Sequence, residues 1–410
     1  MEEEKKNSLI KRESSLAKFD PQKKRGLIAR GLKEMALQTN ILLVKAIEEF
    51  KRAVKINPDD TNAHDNLICA FDETGILKDA IEEFEHAIRI NTDNAWAHFG
   101  LGVAYYKSGM HKEAIEAYKQ AIRLKPDYGW AHLGLGGTYY KSGMYQEAIE
   151  TWKQAIRINP DDAVAYNYLG LAYGKSGMNN EAIAAYKKAI RLYPDYEWAH
   201  YNLGVVYSEV GMNNEAIDAY KQAVRFKPDN ADAHFYLGGT YYKSGMYQEA
   251  IETWKQAIKI NPDIAEAHLN LGVAYAKLGK YQESIDALKQ AIKINPDNAK
   301  AYYNLGRAYI DLEMYTEALE TLKQAIRINP DYVAAHYYLG SAYLGLSMVK
   351  EAIEAFKQAI RLNPNNADIH YYLALTLLLE GQKIEALEQY QILKKLDTEK
   401  AKELFEEIYK

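Results

Sequence analysis

Residues 95–128 read AWAHFGLGVAYYKSGMHKEAIEAYKQAIRLKPDY. Two apolar periodicities run through this stretch. Ala97, Leu101, Ala104 and Tyr105 recur at helical spacing, and so do Ala114, Ile115, Tyr118, Ala121 and Ile122. Gly109 stands between the two runs. A glycine there can take a positive φ and close the first helix. Pro126 stops the second, because proline disfavours helical geometry at the residue before it. The stretch predicts a helix A, a tight turn, a helix B and a short link.

The proline returns at 126, 160, 194, 228, 262, 296, 330 and 364, always 34 residues apart. Pro58 joins the same grid, with Thr92 in the slot between. With this proline as position 32 of a unit, ten units tile residues 61–400 without insertion or deletion. One string, LGGTYYKSGMYQEAIETWKQAI, occurs twice, at Leu135–Ile156 and Leu237–Ile258, which suggests duplication within the array. The units that hold it, 129–162 and 231–264, differ at six positions. Three differences precede the string: Trp130 against Asp232, Leu133 against Phe235, and Gly134 against Tyr236.

Small residues recur in register. Position 8 is Gly in eight units, and positions 3, 20 and 27 are Ala in nine each, with Ile369, Ser284 and Leu393 as the exceptions. Glycine inside a helix costs roughly 1 kcal/mol against alanine, so its repetition points to closely approaching helices. A unit this small cannot bury its apolar faces alone and must stack on its neighbours.

Leu at 7, Gly at 8, Tyr at 11, Ala at 20, an aromatic at 24, Ala at 27 and Pro at 32 resemble the tetratricopeptide repeat. The resemblance spans 61–400 and also helix B of an earlier unit, residues 41–60, with Ala46, Phe50, Ala53 and Pro58. It departs at position 4, where the family usually has a large aromatic and this chain has His in eight units and Tyr166 and Tyr302 in two. The resemblance implies an all-α, right-handed α-solenoid superhelix of about ten helix pairs, making about one turn or slightly more. Residues 1–26 are expected to be a charged tail or cap, 27–60 a degenerate first repeat, and 401–410 a C-terminal capping helix. In that last segment Ala401, Leu404, Phe405 and Ile408 form one apolar stripe, and an oligomer contact is the alternative to a cap.

Composition narrows the class further. The chain has 410 residues, more than one ordinary compact core accommodates. Its net charge is −5, which gives no general pull toward nucleic acid or anionic membrane. Cys69 is the single cysteine, so neither an internal disulfide nor a cysteine zinc cluster is possible. No stretch approaches the roughly 20 apolar residues of a spanning helix, and no apolar run of signal-peptide length opens the sequence. These features read as a soluble, cytoplasmic protein without membrane insertion.

Chemistry-bearing patterns are missing. There is no nucleophile with its base, no paired-carboxylate pattern and no phosphate loop. GLGG at 134–137 lacks the strand and the spacing of a dinucleotide fingerprint. The position-4 histidines lie one per unit, on helix pairs about 8–10 Å apart. They cannot share an ion whose ligands lie about 2 Å away. The expectation is therefore no catalytic residue, no cofactor and no metal.

Helix geometry singles out one surface. At about 100° per residue, positions 4, 7, 8 and 11 share one face of helix A, and positions 2, 5, 6, 9, 12 and 13 share the other. The first face is nearly constant and the second varies. In the family this resembles, the second face lines the concave groove where partners bind. It is rich in aromatics here: Trp96, Trp130 and Trp198 at position 2, and Phe99, Tyr201, Phe235, Tyr303, Tyr337 and Tyr371 at position 5. Tyr168, Tyr236, Tyr338 and Tyr372 follow at position 6, and Tyr106, Tyr140 and Tyr242 at position 12. Asn66, Asn202, Asn270 and Asn304, also at position 6, resemble a broken form of the asparagine ladder of some long arrays. The far end is the most apolar, with Leu375, Leu378 and Leu379 beside Tyr371 and Tyr372. It either receives an apolar peptide or lies under the C-terminal helix.

Aromatic anchors supply large contact area at low entropy cost. The expected function is thus a scaffold or adaptor that binds a protein or peptide in this groove. A homo-oligomer built through the termini or groove, or a regulatory subunit of a separately encoded enzyme, are the alternatives. The lysines at position 13 (Lys107, Lys141, Lys175, Lys243 and Lys277) are interrupted by Glu73, Glu209 and Asp311, which argues against a continuous track for nucleic acid.

Overall fold

The computed structural model describes residues 77–409. The readings placed on residues 1–26, on 27–60 and on the first helix A of the tiled array lie outside the described residues. Between Leu192 and Tyr193 the chain divides into two compact units.

The described part of the first unit holds α1 (Leu77–Ile90), α2 (Ala95–Lys107), α3 (His111–Leu124), α4 (Gly129–Lys141), α5 (Tyr145–Ile158), α6 (Ala163–Lys175) and α7 (Asn179–Leu192). The second begins with α8 (Glu197–Glu209), α9 (Asn213–Phe226), α10 (Ala231–Lys243), α11 (Tyr247–Ile260), α12 (Ala265–Lys277) and α13 (Tyr281–Ile294). It continues with α14 (Ala299–Asp311), α15 (Tyr315–Ile328), α16 (Val333–Gly345), α17 (Val349–Leu362), α18 (Ala367–Leu379), α19 (Lys383–Leu396) and α20 (Thr398–Tyr409). All regular structure among the described residues is helical. Within each unit every helix packs on the one before and the one after. The A helices also touch the next A helix, as in α2 with α4, α12 with α14 and α14 with α16. The B helices make no comparable contact with one another among the described residues, so the A helices form the tighter layer.

Eight of the described repeats are closed by one contact. The position-8 glycine of helix A lies against the large side chain at position 24 of its own helix B. A Cβ on Gly136 would stand 2.5 Å from the Trp152 ring, one on Gly204 2.8 Å from Tyr220, and one on Gly340 2.8 Å from Phe356. Trp152 and Trp254, the tryptophans of the duplicated string, are almost fully buried. Their indole N–H groups donate to the Leu133 and Phe235 carbonyls at 3.2 and 3.0 Å, which satisfies the one polar atom each ring carries.

The turns follow from backbone geometry. Gly109, Gly143, Gly177, Gly211, Gly245, Gly279 and Gly381 have φ between 70° and 80°. At the same turn position Glu313 and Ser347 adopt φ 59°, a left-handed conformation that a Cβ disfavours. The links between repeats use two devices. Where position 34 is Asn or Asp, its side chain caps the next helix, as Asn94 accepts from the Ala97 N–H at 3.0 Å and Asp162 from Val164 at 2.9 Å. Where it is Tyr128, Tyr196, Tyr332 or Ile264, no side-chain cap forms. Tyr128 instead is buried, with its ring 4.4 Å from Trp96 and 5.0 Å from Phe99.

The position-4 histidines latch these links. The Nε2–H of His132, His200, His234, His268, His336 and His370 donates to the carbonyl of the preceding position-32 proline at 2.8–3.1 Å. His98 does the same to Thr92 at 3.2 Å. A carbonyl can only accept, so the partner assigns the proton to Nε2. A second ladder joins B to the following A helix. The ammonium groups of Lys153, Lys221, Lys255, Lys289 and Lys323 lie 5.4–6.0 Å over the position-11 rings of Tyr173, Tyr241, Tyr275, Tyr309 and Tyr343.

Helix α20 packs on α18 and α19. Leu404, Ile408 and Ala401 are buried against Leu393 and Ala374, while Phe405 turns outward toward Tyr390 and Tyr409. Lys400 holds the helix start through Asp368 at 3.2 Å and Asp397 at 3.0 Å.

Adjacent glycines give opposite expectations. Gly238→Ala drives a Cβ to 2.7 Å from the immobile Trp254 ring and should lower stability by about 1–3 kcal/mol. A Cβ on Gly239 meets nothing within 4 Å, so Gly239→Ala should raise stability by up to about 1 kcal/mol. Denaturant midpoints of the two variants check the pair. Glu313→Gly should also raise the midpoint. It relieves roughly 1–2 kcal/mol of left-handed penalty, and the added freedom of the unfolded chain offsets only about 0.4–1 kcal/mol of that.

Candidate functional site

The aromatic face of the A helices is assembled on the same contact that closes the repeats. A position-24 ring faces the position-8 glycine of its own unit, and its far edge reaches position 6 of the next. Gly100 and Gly134 sit there against Phe84 and Tyr118, where a Cβ would stand 2.5 and 2.7 Å from the ring. Where a tyrosine at position 6 follows an aromatic ring at position 24, the two rings stack instead; Tyr338 follows Leu322 and has no ring there. Tyr168 lies 5.5 Å from Trp152 at 22°, Tyr236 6.4 Å from Tyr220 at 15°, and Tyr372 6.5 Å from Phe356 at 24°. One face of each of these three rings is therefore held by the core, while 39%, 44% and 39% of the residue stays open. Trp130 and Trp198 at position 2 are 64% and 45% exposed. Lys227 reaches over Trp198 at 5.5 Å, as Lys125 does over the half-buried Trp96 at 5.2 Å.

The other expected anchors are more enclosed. Phe99, Tyr201, Phe235, Tyr303, Tyr337 and Tyr371 at position 5 are half-buried, and Leu133, Asn167 and Leu269 at the same position are buried. Tyr332, at position 34, buttresses Tyr303 at 5.0 Å. The position-12 rings fold back on their own repeat. Tyr140 lies 5.5 Å from Tyr145 and 6.0 Å from Trp152, Tyr242 repeats this with Tyr247 and Trp254, and Tyr106 lies 5.8 Å from His111. Among the asparagines, Asn202 and Asn270 are half-buried, and the Asn304 amide donates to the Lys300 carbonyl of its own helix at 2.8 Å.

Within the second unit the rings join into chains. Phe235, Tyr236 and Tyr201 lie 5.4 and 5.9 Å apart. Tyr303, Tyr338, Tyr337, Tyr372 and Tyr371 follow one another at 5.1–5.7 Å. The apolar far end is divided. Tyr371, Leu375 and Leu378 pack with the cluster under α20, whereas Tyr372 remains open. Arg307, which the aromatic pattern does not single out, lies 5.7 Å over the Tyr338 ring. The signal for it is a charge at position 9, where every other described repeat has Val, Gly, Leu or Ser.

Electrostatics follow from this enclosure. Burial pushes the Tyr303 hydroxyl up to about 12, with Tyr338 adding to the rise and Arg307 opposing it. Burial likewise raises Tyr201, Tyr220 and Tyr337, each helped by a neighbouring tyrosine. Tyr105 reaches about 12 through burial and its hydrogen bond to Glu85 at 2.9 Å. These phenols are neutral hydrogen-bonding groups, not bases.

A family model described as TPR repeat matches residues 70–109, 105–143, 137–177, 175–211, 209–245, 240–279 and 349–381, and one described as Tetratricopeptide repeat matches 275–339. The chain belongs to the tetratricopeptide repeat family. This is a family of protein-interaction scaffolds, and its fold is generally non-catalytic. Among solved structures, tetratricopeptide repeat neighbours include YrrB, described as a TPR protein with an unusual peptide-binding site, at 30% identity over 46% of this chain and 96% of its own, with a TM-score of 0.43. MamA is 33% identical over 40% of this chain and 95% of its own, with a TM-score of 0.39. The APC/C hetero-tetramer Cut9–Hcn1 is 14% identical over 92% and 95%, with a TM-score of 0.45. No curated protein sequence matches the chain. No helix among the described residues is long and apolar enough to cross a membrane.

The raised tyrosines set an alkaline limit for this tetratricopeptide array. A folded-state value above the unfolded one, about 10, contributes stability that is complete below that pH. That stability is lost as pH rises through the folded value, about 12 for Tyr105 and Tyr303. Titration followed by tyrosinate absorbance should show an exposed class ionising near its ordinary value. A second class should ionise only together with loss of helical circular dichroism. A single unshifted titration with helix content intact would contradict this.

Proposed function

We propose that this chain is a non-catalytic scaffold that binds an extended peptide, or a segment of a partner protein, along the inner face of its A helices. One observation carries the reading. Tyr168, Tyr236 and Tyr372 each stack one ring face on a core side chain and leave the other side open, with Trp130 and Trp198 exposed on the same helical face. Rings held this way lose little entropy on binding, which is the property of an interface anchor. Within each unit the repeats space the anchors, so affinity would come from several contacts along one ligand rather than from one deep pocket.

Self-association is a second reading. Leu379 and Ile384 flank the last A–B turn and are 71% and 75% exposed, whereas the other described repeats place no large apolar residue at either position. Mass by light scattering across a concentration series tests it, and a strict monomer at high concentration eliminates it.

The principal test is a displayed random-peptide library panned on the chain, followed by affinities of the enriched peptides. Trp198→Ala combined with Tyr236→Ala should weaken them about tenfold or more. Each side chain is somewhat more than half covered, so the unfolding midpoint should fall, while helical circular dichroism at the binding temperature should stay unchanged. Undiminished affinity in the double variant would refute the aromatic face as the binding surface.

A further inference from the structure

We propose that a notch between α12, α13 and α14 receives one carboxylate side chain, Asp or Glu, of the peptide bound along this face; the proposal rests on the groove reading above. The notch has a volume of about 120 Å³. Its polar lining comes from Lys277 at the end of α12, Tyr281 and Ser284 on α13, and Asn304, Arg307 and Asp311 on α14.

Three features set it apart from the equivalent places in other repeats. Arg307 puts a guanidinium at position 9, where the other described repeats carry Val103, Gly137, Leu171, Val205, Gly239, Val273, Ser341 and Leu375. It is exposed, and Tyr338 and Tyr303 steady it from the side. Ser284 is the one departure from alanine at position 20 in the ten units. Its hydroxyl is fully buried and has no hydrogen-bond partner. A buried hydroxyl without a partner works against folding. Alanine fills the same place in every other repeat, so packing gives no reason for the serine. A ligand acceptor atom in the notch does. The third feature is charge. Lys277 and Arg307 face one acid, Asp311, which leaves a single net positive charge at the notch.

That balance selects the ligand. A monoanion neutralises the notch, whereas a phosphoryl group carrying close to two negative charges would leave an excess beside Asp311. A planar carboxylate also matches the guanidinium fork, which can donate two parallel N–H bonds. The Asn304 amide already donates to its own helix, and its remaining capacity faces the same space. The aromatic rings to either side would supply contact area, and the notch would set the register of the ligand.

The displayed peptide library on the full chain tests this. Enriched peptides should carry Asp or Glu at one position, and replacing that residue by Asn or Gln should weaken binding about tenfold. Arg307→Gln should weaken the acidic peptide by the same factor and leave the amide peptide unchanged, so the two losses do not add. Ser284→Ala should weaken the acidic peptide while raising the unfolding midpoint; a serine serving only the fold would lower it. Peptides bound without an acidic preference, or a preference indifferent to Arg307→Gln, overturn the proposal and leave the groove reading standing. If no peptide binds, the groove reading falls and acetate decides for the notch. Acetate titrated into chain labelled with nitrogen isotope in arginine should shift the side-chain resonance that is missing from Arg307→Gln. Such a shift supports the notch, and its absence overturns it.

Discussion

The close approach of the position-8 glycine to the side chain at position 24 is the contact on which the rest depends. With no Cβ in the way, helix A settles directly onto a Trp, Tyr, Phe or Leu of helix B. That ring is larger than one repeat needs, and its far edge becomes the platform for position 6 of the following A helix. Closing a repeat and presenting a surface are therefore two faces of one side chain. Position 6 meets that platform with glycine, asparagine or tyrosine. At Gly134 the Tyr118 ring fills the place a Cβ would take, whereas Tyr220 carries the Tyr236 ring stacked upon it.

Tyrosine dominates the aromatic content, with 34 residues against 9 Phe and 5 Trp, because it serves places that need a ring and a polar edge together. At position 11 it receives a lysine from the preceding helix B over its face. In the first described junction Glu85 stands where the lysine would be, and Tyr105 donates a hydrogen bond to it instead. At position 34 tyrosine gives up a helix cap and gains contact with the inner face of the previous repeat, as Tyr128 does against Trp96 and Phe99. The choice between asparagine and tyrosine there exchanges roughly 1 kcal/mol of capping for buried ring area.

The fold was legible because its determinants are local and repeated. The proline interval, the turn glycines and the small residues each recur in register, and repetition turns weak propensities into a strong statement. The helical face bearing the aromatics was legible for the same reason. What each ring does on that face was not. Tyr140 and Trp198 obey the same periodicity, yet the first folds back onto Trp152 and the second stands open. The histidine row was readable as a departure at position 4 but not as a latch, because its partner is a backbone carbonyl six residues earlier, and any sequence supplies a carbonyl there. Arg307 and Ser284 are single departures in two different positions, and only their meeting at one notch gives them a common meaning.

The sequence by itself determined the length of the repeat, the two helices in each, their turn and the side of helix A that varies, since these follow from spacing, from the φ preferences of glycine and proline, and from helical periodicity. The tertiary structure decided which of the aromatic rings remain available, that Leu375, Leu378 and Tyr371 lie under α20, and that Lys277, Ser284 and Arg307 share one space. The physical reason is that exposure and proximity belong to the packing of side chains from three helices at once. A linear pattern records which face a residue is on, but not how far a neighbour's ring reaches across it.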